Sequence, residues 1–314
     1  MKTAIIATVY NEERNIERFL SSIASQTRLP DECVIVDGGS SDRTAELIQK
    51  WCARYPFIRL IVQRCNIAQG RNIAIAACSA EIVACTDAGC SVDPAWFENI
   101  VAPIEQGVAR AVTGNFAPSG SAPIQRALAV AGARRRKPES NFPSSRSFAF
   151  LRSLWQDCPY PEHLAIHEDT KLCKSWAERG VKFHFQPLAL VSWELERDFF
   201  GIFKKYSRYA FWWAYSGDPI DRVRRFVIAL YALLVLLAAL GLPLAALLIW
   251  SLYWGGRVLR GGGALETVRF LGAAGLAATI AVLLTLDWCS IYGVAKGKLF
   301  RLYRPLTAPS GRKP

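Results

Sequence analysis

Short apolar runs alternate with stretches of helical periodicity through the first two-thirds of the chain. Ala4–Val9 is a β-branched apolar run that predicts a buried strand. Asn11-Glu12-Glu13 then opens a helix, its acids in the first turn where the helix dipole favours them, and Ile16, Phe19, Leu20 and Ile23 recur at helical spacing. The alternation continues with a strand at Cys33–Val36, a helix at Thr44–Arg54, a strand at Ile58–Val62, a helix at Asn72–Cys78 and a strand at Glu81–Thr86. This order predicts a parallel sheet with helices on both faces. Sheets of that kind bind ligands beyond the carboxyl ends of their strands. The polar segments Asp37-Gly38-Gly39-Ser40-Ser41-Asp42 and Asp87-Ala88-Gly89 fall at those ends.

From Ala117 to Ser147 the chain is rich in Pro, Ser, Gly and Arg and reads as a long connection. A helix follows at His167–Gly180, acids first and glycine last. The aromatic, basic stretch Asp198–Gly217 resembles an interfacial helix. Two uncharged runs come next, Phe226–Trp254 of 29 residues and Phe270–Leu286 of 17. The first exceeds the ~20 residues a membrane helix needs and the second is near the lower limit of about 17. Gly241-Leu242-Pro243 predicts a kink in the first run, or a re-entrant hairpin. Asp287 would be costly in lipid and is expected at the interface or beside a basic residue.

Charge sharpens this division. Residues 1–200 hold 23 Lys and Arg against 22 Asp and Glu; residues 201–314 hold 15 against 4, a difference of +11 out of the chain's +12. Basic residues flanking apolar runs point to an anionic membrane surface and away from nucleic acid. Arg222, Arg224 and Arg225 precede the first run and Lys296, Lys298, Arg301 and Arg304 follow the second, which predicts two spans with both ends on the cytosolic side. The nine cysteines show no CxxC pair and no metal-ligand spacing, and read as small buried residues in a reducing compartment. The N-terminal apolar run is too short for a signal peptide, so the N-terminal domain is expected in the cytosol.

Three groups offer chemistry. In the Asp37 turn, two glycines let backbone approach a ligand, and a carboxylate at a strand end suits a ribose or a base edge. An acid at a strand end, Asp87, suits a phosphate-bridging divalent cation. Glu168-Asp169 offers a carboxylate base, although adjacent acids at a helix start also serve simply as dipole partners.

Taken in order, Thr8-Val9-Tyr10-Asn11-Glu12, the Asp37 turn, Gly70-Arg71-Asn72, Asp87-Ala88-Gly89 and Glu168-Asp169 resemble glycosyltransferase family 2, the inverting enzymes of the GT-A fold, over roughly residues 2–215. The resemblance implies an α/β, Rossmann-like catalytic domain over 1–215. A membrane region over 216–314 follows, with apolar helices at about 226–254 and 268–292 and a basic tail. It implies donor contacts from Thr8, Tyr10, Glu12, Asp37, Arg71 and Asp87, and a cation, Mg²⁺ or Mn²⁺, on Asp87. Asp169 is the implied general base, with Glu168 orienting it or meeting the acceptor. Arg146, in the segment Asn141–Ser147, is expected near phosphate, while Arg134–Lys137 is either a lipid-facing or a solvated run.

The implied partners are a UDP- or GDP-sugar, a glycan or lipid-linked acceptor and an anionic membrane; the implied setting is the inner membrane, multi-pass, in cell-surface polysaccharide synthesis. Transfer to a polyprenyl phosphate and a silent nucleotide-binding scaffold are the competing readings. Gly38 and Gly89 stand where the family carries further acids, and the Gln-X-X-Arg-Trp motif of processive relatives is absent, which argues against a polymer synthase.

Overall fold

The computed structural model describes residues 1–132, 143–217, 222–260 and 263–303, without the side chains of 130–132, 223 and 254–276. Arg134–Lys137, Asn141 and Arg304 lie outside them. The chain divides into two compact units, the first formed by 1–118 and 136–194, the second by 119–135 and 195–312.

In the first unit the elements run β1 (Thr3–Val9), α1 (Ile16–Ala24), β2 (Glu32–Asp37), α2 (Thr44–Arg54), β3 (Ile58–Val62), α3 (Ile67–Ala77), β4 (Ile82–Cys85), β5 (Cys90–Val92), α4 (Trp96–Glu105) and β6 (Ala111–Ser119). After α5 (Pro123–Gly132), which belongs to the second unit, come β7 (Phe148–Leu151), α6 (Arg152–Asp157), α7 (Glu168–Glu178) and β8 (Phe183–Glu194). The strands form one sheet in the order β3-β2-β1-β4-β7-β6-β8-β5. The expected parallel sheet holds for its first four strands, Ala4 facing Glu32 on one side and Val83 on the other. Beyond β4 the sheet is mixed: β7 runs antiparallel to both β4 and β6, and β5 antiparallel to β8.

Period-two alternation divides the core between the two faces. Ile5, Ala7 and Val9 of β1 point to one face, with Phe19 and Ile23 of α1 and Trp96 and Phe97 of α4. Ala4 and Ile6 point to the other, with Ala74 and Ile75 of α3 and Leu172 and Trp176 of α7. Fully buried, each Val, Leu, Ile or Phe among them contributes roughly 1.5–3 kcal/mol. The cysteines are free, and six of the nine are buried; burial pushes the thiols of Cys33 and Cys85 up to about 12.

Several boundaries differ from expectation. α1 begins at Ile16, because Asn11 takes a left-handed φ of 54° and the Glu12 carbonyl instead closes a turn onto the amides of Asn15 and Ile16. α3 starts five residues early, at Ile67, through a capping box in which Asn66 and Gln69 exchange side-chain to backbone bonds. The Ala117–Ser147 connection holds the end of β6 and all of α5.

The second unit continues with α8 (Phe199–Tyr215), α9 (Arg222–Ala239), α10 (Pro243–Arg260) and α11 (Gly263–Tyr303). The first apolar run is therefore not one membrane-length helix. Gly241, at φ 75°, and Pro243 break it into two helices of 18 residues. Among the described residues one helical segment, Ala277–Tyr303, is long and apolar enough to cross a membrane, which corrects the expected pair of spans. α11 packs closely on α8. A Cβ on Gly293 would lie 2.4 Å from the Ser207 carbonyl oxygen, and one on Gly297 2.4 Å from that of Phe211. Asp287 is buried and accepts hydrogen bonds from the hydroxyls of Tyr253, at 3.2 Å, and Tyr231, at 3.5 Å.

Candidate functional site

The site residues read from sequence all lie in the first unit: at the carboxyl ends of β1, β2 and β4, in the first turns of α3 and α7, and, for Arg146, just ahead of β7. The loops after β1 and β2 are stitched together. The Asn11 amide donates to Ser40 Oγ at 2.8 Å and the Ser41 amide to Asn11 Oδ1 at 2.9 Å. The Glu12 amide donates to Thr44 Oγ1 at 2.8 Å, and Glu12 Oε2 accepts from Asn15 Nδ2 at 3.1 Å. These bonds give Glu12 a role in shaping the loop. Tyr10 stands out from it, 62% exposed, with its ring edge 3.8 Å from where a Gly38 Cβ would be.

Asp37, the last residue of β2, is buried. Its Oδ1 gathers the amides of Gly39 and Ser40 and the Ser40 hydroxyl at 2.8–3.0 Å, while Oδ2 is buried with no hydrogen-bond partner in the protein. A buried carboxylate oxygen left in that state is a feature that calls for an explanation such as a ligand. Across from the turn, Thr8 and Cys65 close on Gly70. A Cβ on Gly70 would fall 2.8 Å from Thr8 Cγ2 and 3.3 Å from Cys65 Sγ, so glycine is what lets α3 approach β1.

Arg71 follows directly. Its side chain is 4% exposed, and it donates to Glu168 Oε1 through Nη1 and to Asp87 Oδ1 through Nη2 at 2.8 Å, over the ring of Tyr160 at 5.5 Å. Burial opposes the Arg71 charge, and the carboxylates of Glu168 and Asp87 outweigh it and hold the guanidinium protonated. For Glu168 burial prevails: its carboxyl is pushed up to about 7, with Arg71 pulling down and Asp169 pushing up. Arg71 thus engages two protein carboxylates. Asp169 is half-buried; its Oδ2 accepts the Ser145 amide at 3.2 Å and its Oδ1 the amide of Thr170 at 2.7 Å. His167, ahead of the pair, is left-handed at φ 76° and aims this helix start.

The described part of the 141–147 segment is held at Ser145 and Ser147. Ser145 Oγ lies 3.3 Å from the Tyr160 hydroxyl, and Ser147 Oγ accepts from Trp96 Nε1 at 2.9 Å while donating to the Ala189 carbonyl at 3.0 Å. Arg146 stacks on the Trp193 ring at 4.2 Å and the Phe116 ring at 5.3 Å. Sequence reasoning missed Tyr160 and named Asn72 only within the Gly70-Arg71-Asn72 motif, without a role. Asn72 Oδ1 accepts from the Tyr160 amide at 3.0 Å and from Trp155 Nε1 at 2.8 Å, and its Nδ2 donates back to the Tyr160 carbonyl at 3.0 Å. A buried Asn next to Arg71 was the available signal.

Among the described residues no three His, Cys, Asp or Glu side chains cluster as a metal site. Asp87 is one-third exposed, and a Cβ on Gly89 would meet nothing within 4 Å. The donor set therefore fits a cation held by one protein carboxylate and completed by phosphate oxygens, the pattern usual for Mg²⁺.

Residues 4–157 match the sequence pattern described as glycosyl transferase family 2. Glycosyltransferase AglE of Haloferax volcanii is 27% identical over 58% of this chain and 63% of its own length. The poly-beta-1,6-N-acetyl-D-glucosamine synthase of Staphylococcus aureus is 29% identical over 67% of this chain and 53% of its own. The chain thus spans less than two thirds of either curated relative. Among solved structures, the mannosyltransferase PcManGT of Pyrobaculum calidifontis, in complex with GDP-Man and Mn²⁺, superposes with a TM-score of 0.57 at 18% identity, over 98% of this chain and 88% of that one. With the mixed sheet, the loops at its strand ends and this match agreeing, residues 4–157 carry a glycosyltransferase family 2 domain, and the fold is GT-A.

Proposed function

We propose that this chain is an inverting glycosyltransferase that moves one sugar from a UDP- or GDP-sugar to a hydroxyl of a membrane-proximal glycan or glycolipid in cell-surface polysaccharide synthesis. The observation that carries the reading is the Arg71 clamp, which gathers the strand-end acid Asp87 and the helix-start pair Glu168-Asp169 into one cluster. The bound nucleotides support it from the side of the relatives: PcManGT holds GDP-Man with Mn²⁺.

In this reading Asp37 and Tyr10 receive the nucleoside beside Thr8. Asp87 would hold a divalent cation, which when bound would neutralise charge on the departing diphosphate. Asp169 takes the proton of the acceptor hydroxyl as its oxygen attacks the anomeric carbon; the bond to the diphosphate oxygen breaks and the configuration inverts. A base so placed is worth about 10²–10⁴-fold. Glu168 and Arg71 touch no reacting atom and position the two acids.

The test is release of nucleotide by purified full-length protein offered UDP- and GDP-sugars with Mn²⁺, with and without a membrane extract as acceptor. Release of one nucleotide, lost in Asp87→Ala, supports the reading. Absence of release from every donor with acceptor present, nucleotide binding being retained, rejects it.

A further inference from the structure

The apolar run of the second unit forms two helices of equal length, α9 and α10, on either side of one break. From Ala232 to Ile249 every residue is aliphatic, glycine or proline, and the break at Gly241 sits at the middle of that run. The two arms match. Tyr231 lies ten residues before Gly241 and Trp250 nine after it; Arg225 lies sixteen before and Arg257 sixteen after. At about 1.5 Å per residue the tip is ~15 Å from the Tyr231 and Trp250 positions, and ~24 Å from the arginines. One leaflet's share of a ~30 Å hydrocarbon core is about 15 Å.

Spanning segments carry aromatic and basic anchors at both membrane faces. In sequence, polar-tipped aromatics and then arginines flank the run on both sides, and nothing polar falls at its middle. Exposure follows the same gradient. Val227 and Leu230 near the base are buried, whereas Leu240 is 64% exposed and Leu244 80% exposed. So long an apolar surface is out of place in water. The hydroxyls of Tyr231 and Tyr253 meet the Asp287 carboxylate, which places a polar cluster at the level where an interfacial aromatic belt sits.

We infer that α9 and α10 form a re-entrant hairpin in a single leaflet of an anionic bilayer. Leu240–Leu242 lies near the midplane, Tyr231 and Trp250 at the hydrocarbon boundary, and Arg222 and Arg225 among the headgroups. The inference does not rest on the transferase reading and stands or falls separately from it.

The test uses the full chain with sealed vesicles of phosphatidylcholine and a minority of phosphatidylglycerol. Leu240→Cys and, as a base marker, Arg222→Cys are treated with a membrane-impermeant maleimide added outside or trapped inside. Labelling is read by peptide mass spectrometry so that native cysteines are scored separately. A lipid with a diazirine at its acyl terminus is crosslinked in parallel. The expected result is outside labelling at 222, loss of labelling from both sides at 240, and lipid adducts within 235–248. Labelling at 240 from inside would mean that the hairpin crosses. Labelling from outside would mean that it never inserts. Shielding without lipid adducts would mean that protein, such as a second copy, covers it. Each of these three overturns the inference.

Discussion

The guanidinium of Arg71 lies between Glu168, at the start of α7, and Asp87, just beyond β4, and donates to both. Removing one partner of a buried ion pair costs about 3–5 kcal/mol, because the other charge is left without compensation. Arg71→Met is therefore expected to lower the unfolding free energy by that order, read from a denaturant titration. Arg71→Lys should recover only part of it, since a single ammonium cannot reproduce the fork.

Asp169, the proposed base, is half-buried and held by the Ser145 and Thr170 amides. Asp169→Asn should lower kcat by about 10²–10⁴-fold with little change in donor KM. Steady-state kinetics on the donor and acceptor found by the nucleotide-release screen would check this; an unchanged kcat would remove Asp169 from the base role.

The raised carboxyl of Glu168 makes stability depend on pH. Its value of about 7 stands above the ordinary 4.5, so the folded chain keeps a proton that the unfolded chain releases. That contribution is complete below about 4.5 and is lost as pH rises through about 7. Glu168→Gln has no proton to lose there. The melting temperature of the parent protein relative to Glu168→Gln should fall between pH 5 and pH 8, by differential scanning fluorimetry; parallel curves would contradict the assignment.

Asp37 Oδ1 closes its own turn with three hydrogen bonds, and its second oxygen is buried without one. Asp37→Ala is expected to destabilise by roughly 1–3 kcal/mol, because it leaves those donors unpaired. It should also weaken UDP or GDP binding in calorimetry. Unchanged nucleotide affinity would separate Asp37 from the donor site.

In the second unit, a side chain at position 293 has no room beside the Ser207 carbonyl. Gly293→Val should destabilise by about 1–3 kcal/mol through overpacking. Gly241→Ala, in open space but at positive φ, should cost less, near the 1–2 kcal/mol of a left-handed residue. Thermal unfolding of the two variants side by side gives the comparison.

The first four strands were legible because each is a short β-branched run whose alternation has one possible reading, as in Ile5, Ala7 and Val9 against Ala4 and Ile6. The antiparallel half was not. β7 joins β4 after more than sixty intervening residues, and no local pattern records a pairing of that range. The acids of the site were legible because they sit at strand ends and a helix start. Their cross-connections were not, since Arg71 reads equally well as a phosphate ligand until the burial of Glu168 beside it is known. The break at Gly241-Leu242-Pro243 was visible in sequence, but whether it bends one helix or makes two depends on backbone angles, such as the φ of 75° at Gly241, that residue types alone do not give.

The hydrogen bonds between the loops after β1 and β2 bear on how such a protein can be redesigned. Asn11 with Ser40 and Ser41, Glu12 with Thr44, and Glu13 with Asp42 cross-brace the two segments through backbone amides. Grafting residues 10–13 alone from a relative with another nucleotide preference would strand the Ser41 amide, whose acceptor is Asn11 Oδ1. The inheritable module is the pair of loops together, and nucleotide preference should be exchangeable between relatives only when both are exchanged at once.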